Sequence, residues 1–188
     1  MADPGPSSTD QGSRLDVEIV RQAKLWNRIP MSDARLSRAA RAAFMAALRP
    51  GQARCEATLV LTDDAEMRGL NRIWRGKDAL TNVLSFPSGL PEGEMPEDPY
   101  PLGDVVLAGE TVLQEAGQQG IAVANHVSHL VVHGMLHLLG FDHERDEDAE
   151  RMEALEAEVL AGLGIANPYG EPGSGRCGGV TIEQCPID

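Results

Sequence analysis

Residues 123 to 139 constrain the fold of this chain more than any other segment. Val127, Leu130, Val131, Val132, Met135, Leu136, Leu138 and Leu139 make the stretch apolar on nearly every side. A helix that is hydrophobic all round must be enclosed by other elements. At ~100° per residue, however, His126, His129, His133 and His137 fall on one stripe about 80° wide. An imidazole enclosed in such a helix needs a partner. The rest of the chain must build layers around this helix and bring something polar or cationic to its histidine side.

The flanking sequence supplies those layers. Residues 15 to 20 (LDVEIV) alternate like a strand, and 33 to 50 form an Ala-rich amphipathic helix with Asp33 at its start and Pro50 as its stop. CEATLVLT (55 to 62) reads as a second strand. The next helix, 62 to 76, opens on the capping residues Thr62 and Asp63 and ends at Gly76. NVLSFP (82 to 87) and DVVLAGE (104 to 110) are strands separated by a Pro/Gly/Glu-rich loop. A helix over 110 to 119 precedes the histidine helix, and a last one over 146 to 164 begins with acids, as its dipole favours. Four strands among five helices predict an α+β sandwich with the histidine helix central. A chain of 188 residues suits one domain. We place that domain at 14–169, between flexible tails at 1–13 and 170–188 that are rich in Gly, Pro and Ser.

Composition narrows the setting. A formal charge of -13 repels phosphate at long range, so binding to nucleic acid would need a local basic patch. The N-terminal MADPGPSSTDQGS lacks the basic start and apolar run of a signal peptide, and no stretch reaches the roughly 18 to 20 apolar residues of a membrane span. A cytoplasmic location is expected. Of the three cysteines, Cys55 lies in a strand and Cys177 and Cys185 lie in the Gly-rich tail, without a disulfide framework.

The histidines carry the chemistry. A lone buried histidine is usually satisfied by its neighbours, but a group at ligand spacing points to metal. His133 and His137 are one turn apart, and Gly140 lets the chain turn back so that His143 can supply a third nitrogen. A 129/133/137 set is conceivable, although it would spread over about 12 Å of helix axis. Under the compact assignment His126 and His129 face substrate or support the ligands, and Asp142 either orients a ligand imidazole or serves as a turn residue. Three neutral imidazoles leave zinc an open fourth position, as a catalytic site requires.

HGMLHLLGFDH, residues 133 to 143, follows the H-x-x-x-H-x-x-G-x-x-H spacing of zinc proteases, with Gly134 where their general-base glutamate stands. Glycine cannot move a proton, which weighs against a metallopeptidase-like hydrolase. Glu144 and Glu115 are stand-ins that nothing in the sequence places on the water. A structural zinc would ordinarily close with four ligands, including cysteine. A second cue is the basic group Arg72, Arg75 and Lys77 in an otherwise acidic chain. Beside an open zinc it reads as an anion site, since arginine suits bidentate phosphate contact. Arg35, Arg38 and Arg41 could extend such a patch, but read first as a solvated helix face.

Together the two stretches resemble the YbeY family of endoribonucleases. His133, Gly134, Leu136, His137, Leu138, Gly140, Phe141, Asp142 and His143 match its H-G-x-L-H-L-x-G-[YF]-D-H hallmark. Asn71, Trp74, Arg75, Asp78 and Val83 to Pro87 match its N-x-x-[YFW]-R-x-x-D segment leading into V-L-S-F-P. Leu80 and Asn82 depart from the proline and aspartate common there. The resemblance implies a small mixed sheet with surrounding helices, one zinc ion on the three histidines and Arg75 as an essential residue. It implies single-strand-specific cleavage of ribosomal RNA, in maturation of the 16S 3′ end and in ribosome quality control. The implied partners are the small ribosomal subunit, its protein S11 and the GTPase Era. A ribosome-assembly factor with a merely stabilising zinc is the non-catalytic alternative.

Overall fold

The computed structural model describes residues 15–47, 54–89, 99–143 and 145–169. The two tails, Pro50, Glu144, Cys177 and Cys185 therefore lie outside the described residues, as does most of the loop before residue 99. Four strands, β1 (Leu15–Arg21), β2 (Cys55–Thr62), β3 (Val83–Pro87) and β4 (Tyr100–Ala108), form one mixed sheet in the order β1-β2-β4-β3. β1 and β4 run parallel to β2, and β3 pairs antiparallel with β4 as an edge strand. The helices are α1 (Asp33–Ala47), α2 (Asp64–Arg75), α3 (Gly109–Gln119), α4 (Val123–Leu138) and α5 (Asp146–Gly162).

Side-chain alternation assigns the two faces of the sheet. Leu59, Leu61, Val105 and Leu107 join α1, α3, α4 and α5 in the main core. Val60, Val106, Ala108 and Leu84 face the other way and pack with Met67 and Leu70 of α2. The sheet is thus covered on both sides, with α4 in the thicker layer and nearly all its residues buried. Arg35, expected on a solvated face, instead clamps α1 to α4 by donating to Asn125 Oδ1 at 2.7 Å and to Ser128 Oγ at 3.2 Å.

Boundaries differ from expectation in physically traceable ways. Thr62 is the last residue of β2, and Asp63 alone caps α2, its side chain accepting the Glu66 N–H at 2.9 Å. β4 begins at Tyr100, before the expected 104, and ends at Ala108, so Gly109 and Glu110 open α3. Its early part crosses a register shift at Glu56/Ala57 of β2. There Gly103, at φ 124°, lies so close to the Phe86 carbonyl that no side chain fits. A short 3₁₀ turn, Lys24–Asn27, is an added element, anchored by buried Trp26 donating to the Thr62 carbonyl at 2.8 Å.

Candidate metal centre

His133 and His137, one turn apart on α4, approach with ring centroids 4.6 Å apart. The helix ends at Leu138, and Gly140 adopts φ 84°, the left-handed conformation expected of it. The reversal brings His143 to ring-centroid distances of 5.6 Å from His133 and 5.1 Å from His137. One ligand atom from each of the three lies within 4.8 Å of the others, so the compact set is the one that converges.

Proton positions follow from the partners. His137 Nδ1 lies 2.9 Å from the Phe141 carbonyl, which can only accept, so Nδ1 carries the proton and Nε2 a lone pair. His133 Nδ1 faces the Glu156 carboxylate at 3.4 Å, which places its proton on the same atom. The two Nε2 lone pairs then meet at 2.9 Å. Such an approach is repulsive unless a cation stands between them. The third ring adds a matching donor, since His143 Nε2 is shielded from solvent without a hydrogen-bond partner among the described residues. A cation that prefers nitrogen ligands fits all three atoms. Burial pushes the His133 pKa down. Burial, then the charge on His133, pushes His137 to about 3, so both rings are neutral ligands near neutral pH.

The remaining histidines have partners of their own. His126 is fully buried and its Nε2 sits 2.7 Å from Glu115, whose carboxylate also accepts from Asn82 Nδ2 at 2.9 and 3.2 Å. Glu115 is thereby committed to these neighbours. His129 Nε2 lies 3.0 Å from Glu156 Oε1. Asp142 makes the turn contact, its Oδ1 accepting the His143 backbone N–H, and its charge also favours the protonated form of His137.

Glu156 of α5 was not foreseen. It is fully buried, and Tyr169 donates its phenol proton to Oε2 at 2.6 Å. Burial alone would raise its pKa, but hydrogen bonds from His129 and His133 prevail and hold it below the usual carboxylate range. Burial, and then the Glu156 charge, pushes Tyr169 above its ordinary value. A cue existed in the sequence, because Glu156 shares a helical stripe with Met152, Val159 and Leu160.

Arg75 ends α2, in the layer across the sheet from α4, with Nε and Nη1 shielded from solvent. Arg72 and Lys77 are exposed beside it, as is Trp74, whose ring meets Phe86 edge-on at 5.9 Å. Gly134 faces the sheet. A Cβ there would lie 2.5 Å from Val105 Cγ1 and 3.1 Å from Ser85 Oγ, and Ser85 donates to the Gly134 carbonyl at 3.2 Å. The small residue thus lets α4 pack closely on β3 and β4.

Fold and site define the class: an α+β domain whose buried helix and following turn present three imidazoles able to hold a metal ion. The family model described as Endoribonuclease YbeY matches residues 22–164. A protein named Endoribonuclease YbeY from Azorhizobium caulinodans is 48% identical over 162 residues, covering 86% of this chain and all of that one. Its counterpart in Paramagnetospirillum magneticum is 54% identical over 160 residues, covering 84% and 97%. The chain belongs to the YbeY family. Among solved structures, the solution structure of TM1509 from Thermotoga maritima aligns at TM-score 0.49 and 20% identity, over 83% of this chain and 100% of that one. No helix among the described residues is long and apolar enough to cross a membrane.

Proposed function

We propose that this chain is a single-strand-specific, zinc-dependent endoribonuclease acting on ribosomal RNA, with His133, His137 and His143 holding one zinc ion. The observation that carries the reading is the convergence of three imidazole ligand atoms within 4.8 Å, in a chain 48% identical to a protein named an endoribonuclease. Zinc held by these three histidines would supply a Lewis acid for a phosphoryl oxygen and would lower the pKa of water. The Phe141 carbonyl and the Glu156 carboxylate hold the two helical ligands in their Nδ1-protonated form.

Arg75 is assigned to the phosphoryl oxygens, where a guanidinium fork stabilises charge as it develops. Arg72 and Lys77, exposed on the same turn, give RNA a local positive field in a chain of net charge -13. α4 packs against β3, the edge strand, and the 76–82 connection leads from α2 into that strand. A single strand laid over this edge would reach from the histidines to the basic turn. Phosphoryl transfer needs positioning and charge neutralisation more than a carboxylate base, so glycine at 134 is compatible with it. The ribosomal role, with the 16S 3′ end as substrate and the small subunit, S11 and Era as partners in the cytoplasm, rests on family membership.

The test is cleavage of a single-stranded ribosomal RNA carrying the 16S 3′ precursor, beside a duplex of the same sequence, by wild type, His137→Ala and Arg75→Ala. Zinc-loaded wild type should cut the single strand only, and both variants should be impaired. Intact RNA with the wild type would refute the nuclease reading; equal rates for wild type and Arg75→Ala would remove Arg75 from the chemistry. A 2′,3′-cyclic phosphate end would assign attack to the ribose 2′-hydroxyl and not to water.

A further inference from the structure

We infer that Glu156 is a positioning residue for the metal centre, fixing His133 as a ligand through its Nδ1–H, with Tyr169 holding the carboxylate in place. The inference rests on the three-histidine reading and extends it to two residues outside the ligand set. Glu156 is fully buried although it comes from an acid-rich helix, and an ionised carboxylate is stable there only if donors surround it. Three donors do so. Tyr169 Oη lies at 2.6 Å and His133 Nδ1 at 3.4 Å from Oε2, and His129 Nε2 lies 3.0 Å from Oε1.

Helix geometry explains the sharing. His129 and His133 are one turn apart on α4, so both rings face α5, and one carboxylate spans them. Tyr169 reaches the same oxygen from the turn after α5, where the Asn167 side chain accepts its backbone N–H at 2.9 Å. The consequence for the ligand is specific. With its proton held on Nδ1, His133 offers only Nε2 to a cation, already oriented toward Nε2 of His137 at 2.9 Å. A carboxylate behind a ligand imidazole also raises its basicity as a donor, and losing such a partner typically costs about 10- to 100-fold in metal affinity.

The competing explanation is that Glu156 only joins α5 to α4, in which case its loss would lower stability without touching the metal. Full-length wild type, Glu156→Gln and Tyr169→Phe are stripped of metal, and zinc affinity is measured by competition with a chromophoric chelator. The visible absorption of the cobalt-substituted forms is recorded as well. Glu156→Gln should bind zinc about 10- to 100-fold more weakly, with a changed cobalt spectrum. Tyr169→Phe should move both readouts in the same direction by less. Wild-type affinity and an unchanged spectrum in Glu156→Gln overturn the inference. Should Glu156→Gln fail to fold, wild-type values in Tyr169→Phe overturn it. A wild type that takes up no zinc overturns the three-histidine reading as well, an outcome distinct from equal zinc binding by all three proteins.

Discussion

His133 and His137 turn their Nε2 atoms toward each other at 2.9 Å, while Glu156 and the Phe141 carbonyl occupy the far side of the two rings. Hydrogen bonds thus orient these ligands, so a metal binds mainly to the folded chain. Binding restricted to the folded state stabilises it by about 4 kcal/mol at 1,000 times the dissociation constant, or roughly 8 to 16 °C for a domain of this size. Zinc should raise the melting temperature of the stripped protein by that order, with one ion per chain. His137→Ala should lose most of the shift. A shift of equal size in His137→Ala would place the metal elsewhere.

Stability without metal should fall in acid. Burial lowers the His133 pKa and takes His137 to about 3 from an ordinary 6.5. Between those two values the unfolded chain holds more protons than the folded one, so stability is present above pH 6.5 and lost as pH falls. Glu156 has the same sign, since its depressed pKa contributes stability that disappears below the ordinary carboxylate value of 4.5. The melting temperature of the metal-free protein should decline from pH 6.5 downward and more steeply below 4.5. A flat profile from pH 7 to 4 would contradict the assigned burial of these groups.

Arg75 should be needed as arginine. Removing one donor that stabilises transition-state charge costs about 10²- to 10³-fold in kcat, and lysine lacks the planar fork. Arg75→Ala should show a loss of that size on single-stranded RNA, and Arg75→Lys should recover little of it. Zinc affinity should stay at the wild-type value in both. A parallel fall in zinc affinity would mean that the substitutions disturb the fold rather than phosphate contact.

Most of the scaffold was legible because periodicity and capping act locally. The all-round apolar pattern of α4, the Asp63 cap and the left-handed Gly76 and Gly140 each reflect a few neighbouring residues. The three-histidine group was legible for the same reason, all its members lying within eleven positions. What escaped depends on tertiary packing. Tyr100–Gly103 looks like a turn in sequence but is strand, because Gly103 fits against the Phe86 carbonyl. Glu156 was hidden among 29 acids until α5 placed it against two histidines. Arg75 ends α2, whose Met67 and Leu70 pack on the sheet face opposite α4, a placement that depends on how the helices cover the sheet and not on neighbouring residues.

Asn82 should resist replacement by aspartate. Its side-chain amide donates to both Glu115 oxygens, at 2.9 and 3.2 Å, and the residue is 1% exposed. An aspartate would put two carboxylates against each other, so that one must bind a proton or lose its contact. Asn82→Asp should destabilise the protein by about 1–3 kcal/mol at pH 7, and the deficit should shrink near pH 5. A deficit that grew on acidification would show that Glu115 and residue 82 do not oppose each other.

Gly134 should be intolerant of any side chain, for reasons of packing alone. A Cβ there falls 2.5 Å from Val105 Cγ1, a stiff β-branched neighbour on β4, so the helix must lift from the sheet or the strand must shift. Overpacking of this kind costs about 1–3 kcal/mol, against a gain of up to ~1 kcal/mol when alanine replaces a helical glycine. Gly134→Ala should therefore melt earlier than wild type while keeping one zinc per chain. Gly134→Glu completes a protease-like pattern on paper, but its carboxylate would enter the sheet contact and lie away from the metal position. It should fold poorly and cleave no peptide. A well-folded Gly134→Glu with zinc-dependent peptidase activity would mean that position 134 faces the site after all.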